Sequence, residues 1–513
     1  MSLENSRKAF KPRLPLILQS ANHLVEDTPQ PVDPAVHTLF PQTANQPLLR
    51  FEKGKRVPLA LRVGVLFSGG QAPGGHNVIA GLRDAIGKGG TLLGFLGGPS
   101  GILENKFVDL KDVDSFRNSG GFDLIGSGRT KIESDEQLRQ SLKVVTELNL
   151  DGLVIIGGDD SNTNAALMAE YFLQHRCKTA VVGVPKTIDG DLKNSFVQTS
   201  FGFDTASKVY SELIGNICRD ALSAKKYYHF IRLMGRSASH IALECALQTQ
   251  PNFTIIGEEV AARNLSLKSL VQTLLDLIEK RAKLGKNYGV VLVPEGLIEF
   301  VPEMKQLISE LNSNPNHLSP AAQESFDSLP EEIQKQLLID RDPHGNVQVA
   351  HIETEKLLIA MCKKMYSGKF HALSHYFGYE GRCSYPSNFD ANYCYALGFV
   401  AERLVADGRS GYMCAISNLE AEVELWQPHG LPITSLMQIE MRKGREKPVV
   451  AKALVDLEGA PFQFFVKERS RWGIEDDYRY PGPIQFFGPK ELSDATTLTL
   501  RLESSIPSIS NRA

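Results

Sequence analysis

The 513-residue sequence has no cysteine pair at the C-x-x-C spacing of zinc or redox sites. Its seven cysteines, Cys177, Cys218, Cys245, Cys362, Cys383, Cys394 and Cys414, form an odd, scattered set, which suits reduced thiols filling cores. Long apolar runs are missing too. Leu14-Pro15-Leu16-Ile17-Leu18, behind Arg7, Lys8, Lys11 and Arg13, is too short for a signal-peptide core, and no later run is long enough to span a bilayer. A cytoplasmic location is the expectation. An excess of one charge is also absent: Lys and Arg number 56 against 59 Asp and Glu, a net charge of −3. That argues against general attraction to nucleic acid or an anionic membrane, so any anionic ligand must be met by local basic residues.

What is present is an ordinary globular composition, 42% hydrophobic and 22% charged, in a chain long enough for two or more domains. Residues 1–60 lack sustained periodicity and read as an extension that packs over the fold or caps an interface. From Arg62 the pattern changes. Val63–Phe67, 152–156 and 180–184 are apolar throughout and predict buried strands; Asn77–Ile86, Ser134–Leu148 and Asn164–Gln174 predict the helices between them. Such alternation implies a parallel sheet covered on both faces, with ligands at the carboxyl ends of its strands.

A second α/β stretch follows. Helices are expected at Thr205–Leu222, Ala238–Thr249 and Ser266–Leu284, with strands at His229–Leu233, Phe253–Ile256 and Gly289–Pro294. Residues 312–350, with the turn signal Asp342-Pro343-His344-Gly345-Asn346, read as a helical insertion. A helix is expected at Asn392–Leu404, and β-like pieces at Val449–Leu457 and Phe462–Val466. The fold class is α/β, with two Rossmann-like parallel-sheet domains, a helical insertion and N- and C-terminal extensions.

Two loops carry most of the chemistry. Gly157-Gly158-Asp159-Asp160-Ser161 follows an apolar strand and opens a helix, so its glycines permit close backbone approach to phosphate while its carboxylates can hold Mg²⁺. Pro185-Lys186-Thr187-Ile188-Asp189-Gly190-Asp191 sets a lysine beside carboxylates, which supplies a charge neutraliser, a metal ligand and a base for phosphoryl transfer. Each has a structural alternative: helix-start electrostatics with Ser161 as the cap, worth roughly 0.3–1 kcal/mol, and an Asx-type turn around Gly190. Read as extended, the second loop lets Asp189 and Asp191 face one way. Ser68-Gly69-Gly70-Gln71-Ala72-Pro73-Gly74-Gly75 either packs tightly or receives an anion; it is neither a Walker A loop nor G-x-G-x-x-G. Arg236 and Arg382 follow glycines at strand-to-loop transitions, and Glu295 either accepts hydrogen bonds from sugar hydroxyls or caps a helix.

These motifs, with Met234-Gly235-Arg236, Pro294-Glu295-Gly296 and Gly378-Tyr379-Glu380-Gly381-Arg382 in the same order, closely resemble the phosphofructokinase family, and specifically its pyrophosphate-dependent, long-chain branch, over about residues 60–415. The resemblance implies that Asp189 takes the proton of the sugar 1-hydroxyl, with Thr187 and Ile188 completing that loop. It implies Mg²⁺ at Asp159 with Asp191 close by, pyrophosphate at Gly70, and Arg129 near the transferring phosphoryl. Met234, Gly235, Arg236, Glu295, Tyr379, Glu380, Gly381 and Arg382 would line a fructose 6-phosphate site. Lys226 and Tyr227 would reach the 6-phosphate held by a neighbouring subunit, so a homo-oligomer is implied; ATP-using relatives usually carry arginine where Tyr227 stands.

ATP-using members resemble Gly-Gly-Asp-Gly-Ser and Pro-Gly-Thr-Ile-Asp at the two loops, whereas Asp160 and Lys186 stand here. The carboxylate would repel a nucleotide's α-phosphate and the ammonium would hold pyrophosphate, so both are placed in the catalytic machinery. By the same resemblance, residues 61–200 with 381–419 form the phosphate-donor domain, 201–380 the sugar-phosphate domain, and 420–513 a C-terminal extension. The competing readings are an ATP-dependent 6-phosphofructokinase, a noncatalytic regulatory subunit, and a generic α/β nucleotide-binding protein.

Overall fold

The computed structural model describes residues 3–55, 59–313, 317–339, 347, 349–442 and 445–483; the turn signal at 342–346 lies outside them. In chain order the strands are β1 (Asn22–Pro29), β2 (Pro47–Lys53), β3 (Arg62–Ser68), β4 (Thr91–Phe95), β5 (Phe107–Asp109), β6 (Ser127–Gly128), β7 (Gly152–Gly157), β8 (Ala180–Thr187), β9 (Phe201–Gly202), β10 (Tyr228–Leu233), β11 (Phe253–Thr254), β12 (Gly289–Pro294), β13 (Ala372–Phe377), β14 (Tyr412–Ser417), β15 (Gln427–Pro432), β16 (Met437–Arg442) and β17 (Arg445–Val450).

Two sheets position everything else. The larger has the order β1-β2-β15-β14-β8-β7-β3-β4-β5, with β6 beside β3 and β9 beside β8. Its centre is parallel, because β3, β4, β7, β8 and β14 are apolar on both faces and are joined through helices: Val63, Val65, Leu66, Phe67, Leu153, Val154, Val181 and Val182 are all fully buried. Each such side chain contributes about 1.5–3 kcal/mol by leaving water. Antiparallel strands flank this centre: β5 on one side, β15, β2 and β1 on the other. The N-terminal extension thus extends the sheet instead of merely covering it.

The smaller sheet, β11-β12-β10-β13, is parallel throughout. The helix Phe203–Ala224 leads into it and the helix Asn388–Ala406 leads back. The returning helix carries Asp390, whose buried carboxylate accepts the N–H groups of Gly202 (3.1 Å) and Thr205 (2.9 Å) at the start of the first. Helices Pro320–Ser328 and Glu331–Ile339 lie in the predicted insertion, and helix Pro302–Ser313 runs up to its start.

Several expectations are corrected. The helix expected from Asn164 begins at Asp159, with Gly158 as its N-cap, so Ser161 is not the cap; its hydroxyl donates to Ser68 Oγ at 2.8 Å instead. The strand beginning at Phe253 stops at Thr254, and residues 451–456 are irregular beyond β17. Phe462–Val466 is helical, inside Ala460–Ile474, because Phe462 and Phe465 recur at helical spacing, with Phe462 packed on Phe465 and Phe465 on Trp472.

Candidate active site

Strand register alone assembles the donor side. Phe67 pairs with Ile156, and Gly157 with Pro185, so the loops after β3, β7 and β8 emerge side by side at the carboxyl edge. Lys186 is buried in that edge, and a β-carbon on Gly69 would lie only 3.3 Å from its Nζ. Burial, and after it the positive charge of Arg382, brings the ammonium down to about 8, against the pull of Asp189 and Asp159. Arg129, exposed after β6, pushes the same way.

Asp159 and Asp189, which act on Lys186, also act on Asp191. Asp191 is buried, and desolvation followed by the charges of Asp189 and Asp159 raises it to about 7, with Lys452 acting in opposition. The stretch is not extended: the chain turns at Gly190, whose φ of +74° belongs to the left-handed region, yet Asp189 and Asp191 remain close enough to repel. Thr187 Oγ1 accepts the Asp189 N–H at 3.1 Å, which fixes the loop. Asp160 is half-exposed and pairs with Lys131 at 3.3 Å. Among the described residues no group of three or more His, Cys, Asp or Glu is placed to hold a metal ion by itself.

The acceptor side follows from the smaller sheet in the same way. Leu233 pairs with both Pro294 and Phe377, so Met234-Gly235-Arg236, Glu295 and Gly378–Arg382 begin at one level. Glu295 N donates to Leu233 O (2.9 Å) and Met234 N to Phe377 O (2.9 Å). The Glu295 carboxylate is taken up by protein donors, Gly235 N–H at 3.1 Å and Tyr376 Oη–H at 3.3 Å, and burial raises its proton affinity. It therefore shapes the Gly235 turn, φ +133°, as well as facing the cleft. Glu380 holds the Gly378 N–H (3.0 Å), Gly381 lies against the Tyr210 ring, and Arg382 Nε points to Met234 Sδ (2.6 Å). Arg236 and Tyr379 are exposed, and Ile188 is buried under its loop.

Asp189 influences Lys186 and Asp191 on one side and Glu295 on the other, so it stands at the junction of the two halves. Lys226 and Tyr227 do not join them. Both are exposed before the amino end of β10, roughly 20 Å of strand away from Met234. Conversely, Lys452 enters the site from the C-terminal extension, 3.4 Å from Asp159 Oδ2. No motif marks it; it sits in an irregular segment that sequence reading treats as β-like.

Among the described residues no helix is long and apolar enough to cross a membrane. The phosphofructokinase family profile matches residues 62–405. The chain is 50% identical to the pyrophosphate–fructose 6-phosphate 1-phosphotransferase of Treponema pallidum, over 98% of this chain and 97% of that one. It is 53% identical to the subunit beta 2 of the same enzyme in Arabidopsis thaliana, over 91% and 87%. In fold it matches the crystal structure of a pyrophosphate-dependent phosphofructokinase from Nitrosospira multiformis with a TM-score of 0.56 at 17% identity, over 82% of this chain and 93% of that one. By the family match and by near-full-length identity to these relatives, the chain belongs to the phosphofructokinase family.

Proposed function

We propose that this protein transfers a phosphoryl group reversibly from pyrophosphate to the 1-hydroxyl of fructose 6-phosphate, giving fructose 1,6-bisphosphate and orthophosphate. The observation that carries this reading is the buried Lys186 ammonium between Asp159, Asp189 and Arg382, at the edge where the two sets of loops meet. The names of its near-full-length relatives support it.

The donor set fits a divalent cation. Burial, then the charge of Asp189 and after it that of Asp159, raises Asp191 to about 7, so a cation held there would relieve the cost, and Mg²⁺ characteristically binds one or two carboxylates with phosphates and water completing its shell. Asp159 and Asp191 would hold it; when bound, it neutralises phosphate charge.

The chain's own residues do the rest. Asp189 accepts the proton as the sugar 1-oxygen bonds to phosphorus, and the bridging P–O bond of pyrophosphate breaks, with the electron pair leaving on orthophosphate. Lys186 stabilises that departing charge from a desolvated position. Gly70 leaves backbone room for pyrophosphate, and Arg129 faces the transferring group. Asp160 keeps negative charge where a nucleotide's α-phosphate would come. Met234, Gly235, Arg236, Glu295 and Tyr379–Arg382 hold the sugar phosphate, and Thr187 and Ile188 shape its reactive end. Lys226 and Tyr227 serve the site of a second copy, so the working form is a homo-oligomer.

A coupled assay tests the reading: purified protein with Mg²⁺ and fructose 6-phosphate should form the bisphosphate from pyrophosphate and at least tenfold less from ATP. Efficient use of ATP alone would overturn it.

A further inference from the structure

Residues 451–456 form a strap between the two halves of the site. On the donor side Val450 N donates to Thr163 Oγ1 (2.8 Å) and Ala451 N to Leu436 O (2.8 Å). In the middle, Ala453 N donates to Asp191 O (2.7 Å), which ties the strap to the loop that carries Asp189. On the acceptor side, His240 Nε2 meets Ala453 O (2.9 Å) and Val455 N donates to Glu258 Oε1 (3.0 Å). Such regular anchoring of an irregular segment fixes the Cα of Lys452 between the sheets.

The Lys452 side chain then points inward. Its Nζ donates to Ser237 Oγ at 2.7 Å, next to Arg236, and lies 3.4 Å from Asp159 Oδ2. A lysine ammonium has three donors; these two partners leave one. Its charge reaches Asp191 and Glu299 as well. A simple surface ion pair would be worth about 0–1 kcal/mol and would face one partner. Here the side chain is 29% exposed and its ammonium bridges a donor-loop carboxylate to a hydroxyl beside the sugar-phosphate arginine.

We propose that Lys452 is a substrate-binding residue of the active site, delivered by the C-terminal strap, whose remaining N–H binds an oxygen of the phosphoryl group in transit between Asp159 and Arg236. The inference rests on the phosphoryl-transfer reading above and adds to it a residue from outside the matched family region, residues 62–405. It also gives the extension a purpose: it closes the cleft with a cation that neither sheet provides.

The test uses the full chain with Lys452→Met, Lys452→Arg and Ser237→Ala. Titration calorimetry with inorganic pyrophosphate in Mg²⁺ should show affinity about tenfold weaker in Lys452→Met, with the KM for pyrophosphate rising in parallel. Lys452→Arg, which keeps the charge, should recover to within about threefold. Ser237→Ala keeps the ammonium and removes its anchor, so it should fall between. Wild-type pyrophosphate affinity in Lys452→Met, or a lowered melting temperature as its sole defect, would overturn the proposal. Should Lys452→Met fail to fold, wild-type affinity in Ser237→Ala would overturn it and weakened affinity would support it. A wild-type protein that neither binds nor uses pyrophosphate would instead remove the underlying reading.

Discussion

Gly70 and Arg382 touch across the cleft: a β-carbon on Gly70 would overlap Nη1 of Arg382. One residue belongs to the loop after β3 in the large sheet, the other to the short helix Tyr379–Arg382 that follows β13 in the small one. The obstacle is the far end of a flexible side chain, so the fold can yield where the site cannot. Gly70→Ala should leave the melting temperature within about 2 °C of wild type while raising the KM for both pyrophosphate and fructose 6-phosphate. An unchanged pair of KM values would show that Arg382 is not used where it stands.

Lys186 links pH to donor binding. Its ammonium titrates at about 8, instead of the ordinary 10.5, because it is buried and faces Arg382. Raising the pH through 8 removes the charge from the free protein, so the KM for pyrophosphate should climb above that pH. Bound pyrophosphate favours the protonated form, so kcat should hold to higher pH. The stability sign is opposite to that of a lysine with a net favourable environment. Between 8 and 10.5 the unfolded chain holds a proton that the folded chain has released, so the penalty is full below pH 8 and is relieved as pH rises. Lys186→Met should therefore melt at a higher temperature than wild type at pH 7 and yet lose pyrophosphate turnover, a combination that differential scanning calorimetry and the coupled assay would check together.

Much of this arrangement was legible because the apolar strands stop where the motifs begin. Val63–Phe67, Leu153–Ile156 and Val181–Val184 mark the strands, and parallel pairing then forces Ser68, Gly157 and Lys186 to one edge. The same holds for Met234 and Glu295, which follow the strands ending at Leu233 and Pro294; β13, which ends in register with them at Phe377, is partly exposed and carries no apolar run, so no strand is read there from sequence. The extensions were harder. Strand β1 carries few apolar residues, and β2 sets its buried Leu48 and Leu49 beside Arg50, Glu52 and Lys53; backbone ladders join both to the sheet, as in the pairing of His429 with Arg50, so no periodicity announces them. Phe462-Gln463-Phe464-Phe465-Val466 suggests a strand by composition, whereas Gly459 and Pro461 mark a helix start. Lys452 is invisible for another reason: its role comes from what the strap touches 200 or more residues away, at Ser237 and Asp159.

Donor choice should reside in two side chains. Asp160 is half-exposed at the first turn of its helix and paired with Lys131, while Lys186 is buried. Removing both charges in Asp160→Gly with Lys186→Gly should abolish most pyrophosphate turnover and raise the ratio of ATP to pyrophosphate use. Each charged contact is worth roughly 1.5–3 kcal/mol, or one to two decades of affinity, so the ratio should move by at least about a hundredfold. Wild-type kinetics with pyrophosphate in the double variant would refute the assignment of both residues.

The position of Lys226 makes a prediction about assembly. Within one chain it lies before the amino end of β10, whereas Arg236 follows the carboxyl end of the same strand; a rigid parallel strand cannot bring them together. If a second copy supplies Lys226, then Asp189→Asn and Lys226→Ala each inactivate a homodimer, but a mixed dimer contains one site with Asp189 from one chain and Lys226 from the other. Random pairing of equal amounts makes half the dimers mixed and one of their two sites whole, so activity should return to about a quarter of wild type. Co-expression with two affinity tags isolates the mixed species directly. Mixed dimers as inactive as either parent would mean that Lys226 serves its own chain or none.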